Sequence, residues 1–371
     1  MPDTRAVKKK LRIGILFGGR SGEHEVSLLS AAAILKAIDR KKYDVVPIGI
    51  DKQGHWLAAE AAQHLLSGVS QPLQLSAGAD LVADSKSLTS SLDVIFPVLH
   101  GTFGEDGTIQ GLLELADLAY VGSGVLGSAT GMDKVAMKQL FAAAHLPQTP
   151  FLPLTRNQWR TDPKGSIRLI ERNLAYPLFV KPANLGSSVG ISKVKSRETL
   201  SAAINLAADY DRKLIIEQGV GGPGVKPREL EVAVLGNDTP EASVVGEIVP
   251  DREFYDYDSK YSSTSTSDPV IPANLTAAES RQIRAMAIAA FRALDCAGLA
   301  RVDFLMEPAA KGKKSVIYLN EINTMPGFTS ISMYPKLWGA TGIPYKSLID
   351  RLIQLALDRH HERQQTHFTR V

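Results

Sequence analysis

Arg301, Asp303, Glu321 and Asn323 have the types and spacing of residues that work together. Leu299 to Met306 and Val316 to Asn323 mix apolar and polar residues as strands do, and alternate side chains of a strand share a face. Arg301 and Asp303 therefore project together, and so do Glu321 and Asn323. Two carboxylates, an amide and a guanidinium would line one surface. Three hard oxygen donors without a His or Cys partner suit Mg²⁺ bridging phosphate oxygens rather than zinc. The plainer alternative is a salt-bridged sheet face turned to solvent.

A second candidate is Pro177-Leu178-Phe179-Val180-Lys181-Pro182, followed by Gly186-Ser187-Ser188-Val189-Gly190. A lysine at a strand end facing a Gly/Ser loop can hold phosphate oxygens while the loop N–H groups wrap them. No Gly-Lys-Ser/Thr closes this loop, so it is not a Walker A element. By itself such a loop is more often a plain turn. The amino-terminal Gly18-Gly19-Arg20-Ser21-Gly22 lacks the glycine spacing of a dinucleotide fingerprint, which argues against a dehydrogenase. Glu23, His24 and Glu25 follow at a helix start, where acids commonly do no more than complement the helix dipole.

These residues need elements to position them. Leu11 to Phe17 reads as a buried strand, and Val26 to Ile38 carries helical periodicity. Val94 to Leu99 is a further apolar run ending at His100-Gly101, and Ile109 to Leu115 is helical again. The first part of the chain is thus expected to be a parallel α/β domain whose ligands gather at the carboxyl ends of its strands. A helix runs from Met132-Asp133-Lys134 to Ala144, a proline-rich link follows at Pro147, Pro150 and Pro153, and then comes the strand Leu178 to Lys181. With a helix over Glu198 to Ala208 and a strand over Lys213 to Glu217, this makes an α+β lobe. Leu230 to Leu235, Val244 to Val249, a helix Ala277 to Leu294 and the two polar-faced strands form a third. The expected domains are 1–135, 136–228 and 229–371. Residues 251–268 are polar and without apolar periodicity, as lid loops or disordered segments are, and are taken as a lid.

Composition bounds the answer without naming a chemistry. A chain of 371 residues exceeds what one core usually organises. Apolar residues at 44% and charged residues at 22% are ordinary globular values. The formal charge of +3 is dispersed, so no nucleic-acid stripe is indicated. No window carries the roughly 18 apolar residues of a membrane span, and Lys8, Lys9 and Lys10 read as a solvated lead-in. The single cysteine, Cys296, cannot form an intrachain disulfide, which suits a reducing cytoplasm, and it reads as a buried core thiol.

Taken in order, several segments resemble the D-alanine:D-alanine ligase family over nearly the whole chain. They are Glu23-His24-Glu25-Val26-Ser27, His100-Gly101-Thr102-Phe103-Gly104-Glu105-Asp106-Gly107, Met132-Asp133-Lys134, Val180-Lys181-Pro182 and Gly186-Ser187-Ser188-Val189-Gly190. Phe254-Tyr255-Asp256-Tyr257-Asp258-Ser259-Lys260-Tyr261 and Asn320-Glu321-Ile322-Asn323-Thr324-Met325-Pro326-Gly327 complete the set. Any one would be weak, and their shared order is what carries the resemblance.

The resemblance implies a three-domain ATP-grasp fold with an N-terminal Rossmann-like α/β domain. It implies an ADP-forming ligase that joins two D-alanines through an acyl-phosphate for peptidoglycan synthesis in the cytoplasm. ATP and two Mg²⁺ ions, with Mn²⁺ able to substitute, are the implied cofactors, and a homodimer without nucleic-acid or membrane partners is expected. By the same resemblance Lys134 and Lys181 hold phosphates, Ser188 belongs to the phosphate loop and Lys260 reaches the γ-phosphate. Glu217, Gln218 and Val220 belong to a hinge reading adenine through its backbone, and Glu229 meets the ribose. Asp303, Glu321 and Asn323 are the implied metal ligands. Glu25 would bind the first substrate's ammonium and share hydrogen bonds with Ser187 and Tyr261. Arg301 and the Gly327 N–H would stabilise an oxyanion, Ser332 and Met333 would receive the second carboxylate, and His100 would line the first pocket. Tyr261 beside Lys260 favours an amine acceptor over a hydroxy acid. Gly221 to Val225 and Pro308 to Lys314 depart from the family pattern and read as surface insertions.

Two readings stay open at this level. A related carboxylate–amine ligase with another acceptor would share the nucleotide and metal residues. A non-catalytic nucleotide-binding protein could use the same fold.

Overall fold

The run Leu11–Gly18 (β1) is apolar without alternation, as a strand covered on both faces must be, and it is the centre of a five-stranded sheet in the computed structural model. The structure describes residues 9–57, 59–67, 92–221, 224–249, 269–308, 314–367 and 369. Helix α1 (His24–Ala37) follows β1 and leads to β2 (Tyr43–Ile50), the edge strand β3 (Trp56–Leu57) and helix α2 (Ala59–Ser67). Strand β4 (Val94–Val98) then returns to the other side of β1, and β5 (Ala119–Tyr120) pairs beyond it. The order is β3-β2-β1-β4-β5, parallel except for β3. Strand order reverses between β1 and β4, so the loops leaving their carboxyl ends open a crevice there.

Helices α3 (Thr108–Leu115), α4 (Val125–Met132) and α5 (Lys134–Ala143) lead to a second sheet. It contains β6 (Phe151–Thr155), β7 (Leu178–Pro182), β8 (Ser192–Val194) and β9 (Lys213–Gln218) in the antiparallel order β6-β9-β7-β8. Helices α6 (Arg156–Thr161), α7 (Pro163–Asn173) and α8 (Arg197–Tyr210) belong to this lobe. The proline-rich segment expected to be a link is in part a strand. Pro153 sits in β6, which among the described residues pairs only with β9, and an edge strand tolerates a residue without an N–H.

The third sheet is antiparallel, β11-β10-β12-β13, from β10 (Arg228–Gly236), β11 (Glu241–Ile248), β12 (Gly298–Glu307) and β13 (Val316–Asn323), with helix α9 (Ala277–Ala293) packed on it. Helices α10 (Met333–Ala340) and α11 (Tyr345–Arg363) close the chain. Their Tyr334, Trp338, Leu348 and Leu352 share one core with Ile13 and Phe96 of the first sheet and with Leu235 and Leu299 of the third. Each such fully buried side chain contributes about 1.5–3 kcal/mol, so the first and third sheets are fixed against each other by apolar contact. Phe328 lies at the heart of this core, 5.7 Å from the rings of both Phe96 and Tyr334 and 5.4 Å from Tyr345.

Candidate active site

A cavity of about 920 Å³ lies where the three sheets meet. The loop after β1 brings Glu23 to it. Glu23 is the N-cap residue of α1, and its carboxylate accepts a hydrogen bond from the Ser187 hydroxyl. It is seated between two glycines: a Cβ at Gly101 would stand 2.6 Å from Glu23 Oε2 and one at Gly186 2.5 Å from it. The expectation for Glu25 is corrected here. Glu25 lies outside the cavity, its side chain is 57% exposed, and it pairs with Lys52. About 200° of helical rotation separates residues two apart, so only one of these acids can face inward.

The loop after β4 supplies His100 and Glu105, and both hold the backbone of one residue of another lobe, Met325. His100 Nδ1 lies 2.9 Å from the Met325 carbonyl, and Glu105 Oε1 accepts from the Met325 N–H at 2.9 Å. The other oxygen of Glu105 accepts from Gly101 N–H at 2.7 Å. Burial lowers the His100 pKa despite the nearby Glu23. The ring is therefore neutral, with its proton on Nδ1 facing the carbonyl, and Nε2 is left to accept from Ser30 Oγ at 3.2 Å. Desolvation, reinforced by the Glu23 charge, pushes the Glu105 carboxyl up to about 8. The clamped Met325 leads into Gly327, which Phe328 anchors in the core. Ser332, the N-cap residue of α10, accepts from Thr329 N–H at 3.1 Å, and Met333 begins that helix. Gly327, Ser332 and Met333 all line the cavity.

The wall formed by β12 and β13 carries the oxygen donors. Arg301 stands opposite Asn323, and Asp303 opposite Glu321. Arg301 donates to both oxygens of Asp303 at 2.7 Å and pairs with Glu231 at 3.1 Å, while Asn323 Nδ2 donates to Asp303 at 3.0 Å. Simple alternation alone would not have produced this wall. Ile317 and Leu319 are buried, and so is Ile322, which changes the phase. A bulge at Asn320, where Phe304 faces Leu319 and Asp303 faces Glu321, makes the change. No cluster of three or more His, Cys, Asp or Glu side chains forms a ready metal cage among the described residues. The donors present, two carboxylates and an amide oxygen on one wall, fit Mg²⁺, which keeps water and phosphate oxygens among its ligands.

Basic groups gather toward the second sheet. Asp133 caps α5 by accepting from Val135 and Ala136 N–H groups, and so sets the next residue, Lys134, whose ammonium donates to Leu185 O at 2.8 Å. Lys181, on β7, donates to Glu217 at 3.0 Å. In the Gly/Ser loop Ser187 and Ser188 both adopt left-handed backbone, at φ 51° and 61°. Such non-glycine strain gathers at ligand clamps. Glu217, Gln218, Val220 and Glu229 line the same cavity. Two backbone N–H groups of the hinge are engaged within the lobe. The Gln218 and Gly219 N–H groups bond Pro150 O and Pro177 O, and the Gln218 side-chain oxygen accepts from Ala175.

Lys260, Tyr261 and the expected lid 251–268 lie outside the described residues, as do 222–223 and 309–313 of the two expected insertions. The residues that sequence reasoning missed are Glu23, Glu105 and Glu231. Glu105 stood within a quoted motif, and the shift from Leu319 to Ile322 in apolar phase was a legible sign of the bulge.

Comparison with known proteins follows the same lines. Family models described as D-ala D-ala ligase N-terminus and D-ala D-ala ligase C-terminus match residues 12–123 and 140–354. A D-alanine–D-alanine ligase of Geobacillus thermodenitrificans is 50% identical over 372 residues, spanning 97% of this chain and 99% of that protein. One from Heliobacterium modesticaldum is 51% identical over 365 residues, 96% of this chain and 97% of that protein. The solved D-alanine-D-alanine ligase from Coxiella burnetii matches with a TM-score of 0.78 and 36% identity over 96% of both chains. The VanG D-Ala:D-Ser ligase from Enterococcus faecalis matches with a TM-score of 0.78 and 35% identity, over 94% of this chain and all of that one.

Proposed function

The chain belongs to the D-alanine:D-alanine ligase family, and from that premise we propose how its cavity carries out the reaction. The protein is an ATP-grasp enzyme that joins two D-alanines in cell-wall precursor synthesis. It uses ATP and a metal ion. The finer assignments that follow are our reading.

The carboxylate of the first D-alanine attacks the γ-phosphate of ATP, giving an acyl-phosphate and ADP; the amine of the second displaces phosphate to form the dipeptide. The single observation that carries this is the common cavity. Glu23 from the first sheet, Lys181 from the second and Asp303 from the third all open onto it. Glu23 takes the role expected of Glu25 and holds the first ammonium, steadied by Ser187. Arg301 and the Gly327 N–H receive the oxyanion as the second amine attacks. Ser332 and the Met333 N–H, at a helix start, suit the second carboxylate. His100 acts by shaping the first pocket, since both of its nitrogens are engaged.

Lys134 and Lys181 lie along the ATP path with Ser188, and Lys260 meets the γ-phosphate. Glu217, Gln218 and Val220 border the base, and Glu229 the ribose. Asp303, Glu321 and Asn323 would hold two Mg²⁺ ions, or Mn²⁺ in their place, which when bound neutralise phosphate charge. Tyr261 beside Lys260 favours an amine acceptor. Residues 1–135 serve as the substrate-binding domain, with 136–228 and 229–371 as the two lobes around ATP. No described helix is long and apolar enough to cross a membrane. We place the reaction in the cytoplasm, with the enzyme a homodimer.

An assay of phosphate release with ATP, Mg²⁺ and D-alanine, run beside D-serine and D-lactate, tests the reading. Release that depends on D-alanine, with dipeptide formed in equal amount, is expected. Release only with D-serine or D-lactate as second substrate would overturn the acceptor assignment, and dipeptide without ATP would overturn the route.

A further inference from the structure

Lys138 lies in α5, one turn beyond Lys134, and its side chain is 1% exposed. Its ammonium has no hydrogen-bond partner among the described residues. It stands 3.8 Å from Glu217 Oε2 and 5.8 Å from the centroid of the Phe151 ring. The same Glu217 oxygen accepts from Lys181 at 3.0 Å. A row of charges results. Lys181 and Glu217 border the cavity, whereas Lys138 is sealed behind Glu217 and does not line it.

A buried ammonium without hydrogen bonds is a poor device for stability, because an apolar side chain of similar length would avoid the desolvation. The placement makes sense through Glu217. Burial works against that carboxylate's charge, yet Lys138 and then Lys181 more than offset it, and its pKa falls below the ordinary value. The cavity wall therefore presents a fixed acceptor, Glu217, beside a fixed donor, Lys181. The major-groove edge of adenine carries the complement, a 6-amino donor beside the N7 acceptor; guanine carries two acceptors there. A guanine O6 would face a carboxylate.

We propose that Lys138 is a positioning residue which, acting through Glu217, sets the choice of adenine over guanine nucleotides. This rests on the ATP-dependent reading above. Without Lys138, Lys181 would be the only close counterion of Glu217 among the described residues. The pair would draw together, leaving neither group free to hold a base edge.

The test compares Lys138→Met, Lys138→Arg, Glu217→Gln and the double variant Lys138→Met/Glu217→Gln in steady-state assays with ATP and GTP at saturating D-alanine. Lys138→Met should raise the KM for ATP about tenfold and narrow the ATP-to-GTP ratio of kcat/KM by a similar factor, as loss of one charged contact does. Saturating kcat should stay within about threefold and the KM for D-alanine should not move, since no contact with the reacting atoms is lost. Lys138→Arg should recover most of the discrimination. The double variant should be no worse than Glu217→Gln alone, because both changes act on one group.

An unchanged ATP-to-GTP ratio in Lys138→Met, or effects that simply multiply in the double variant, would overturn the proposal. So would a loss of kcat accompanied by a shifted KM for D-alanine. Should Lys138→Met not fold, Lys138→Gln and Glu217→Gln decide the matter, and an unchanged ratio in both overturns it. A wild-type enzyme releasing no phosphate from ATP with D-alanine would refute the functional reading itself. An active wild type with an unaffected Lys138→Met refutes only the role of Lys138.

Discussion

Glu23 and Ser187, 164 residues apart in the chain, are joined by a hydrogen bond from the serine hydroxyl to the glutamate carboxylate. The loop after β1 and the Gly/Ser loop of the second sheet thereby meet over the cavity. Glu25, two residues further on, faces Lys52 and solvent.

That contrast gives the first test. Glu23→Gln keeps the shape but removes the charge that would hold an ammonium, and a charged hydrogen bond is worth about 1.5–3 kcal/mol. A rise in the KM for the first D-alanine of about ten- to a hundredfold should follow in an ADP-release assay. Glu25→Gln should stay within about twofold of wild type, as a surface ion pair contributes little. Equal effects from the two variants would return the ammonium site to an open question.

Glu321→Gln removes one negative charge from the β12–β13 wall with little change of volume. Turnover at ordinary Mg²⁺ should fall by about a hundredfold or more, the scale of losing one group that stabilises developing charge. Thermal unfolding should move by no more than a few degrees, roughly what 1 kcal/mol produces. Near-normal turnover would sink the metal assignment.

Arg301 meets Asp303 through two bonds of 2.7 Å and Glu231 at 3.1 Å. A lysine cannot reproduce that fork. Arg301→Lys should lower kcat by about a hundredfold, as loss of an oxyanion donor does, while the KM for ATP changes much less. If kcat stays close to wild type and only the KM moves, Arg301 aids binding rather than the tetrahedral step.

Glu105 provides a pH test with a definite sign. Desolvation and the Glu23 charge raise its pKa from the ordinary 4.5 to about 8, against the pull of its two backbone hydrogen bonds and of Arg301. Between those values the folded protein holds a proton that the unfolded chain has released. Stability from this group is thus full below 4.5 and is lost as pH rises through 8. Glu105→Gln lacks that slope. Denaturant unfolding of both proteins at about pH 5 and about pH 8 should change in the variant's favour by more than about 1 kcal/mol over that interval. Parallel stability curves would mean that Glu105 is ionised throughout.

The amino-acid sequence by itself determined the elements and the kinds of group available. Apolar runs and helical periodicity placed β1, α1, β4, α8, α9, β12 and β13 within a residue or two of where they lie. The types and spacing of Lys181, Arg301, Asp303, Glu321 and Asn323 pointed to phosphate and a hard metal before any fold was known, and the family resemblance added Lys134. This was legible because periodicity and side-chain chemistry are local properties. What only the tertiary structure decided was facing and pairing. Glu23 rather than Glu25 turns inward because Gly101 and Gly186, from two other loops, leave room for its carboxylate. The β13 donors share a face with those of β12 because a bulge at Asn320 resets the strand's phase. Lys138 and Lys181 flank Glu217 because α5 packs behind β9, and Glu105 finds Met325 because one core holds the first and third sheets together. Such relationships join residues far apart in sequence, and spacing along a chain carries no record of them until packing fixes which surfaces touch.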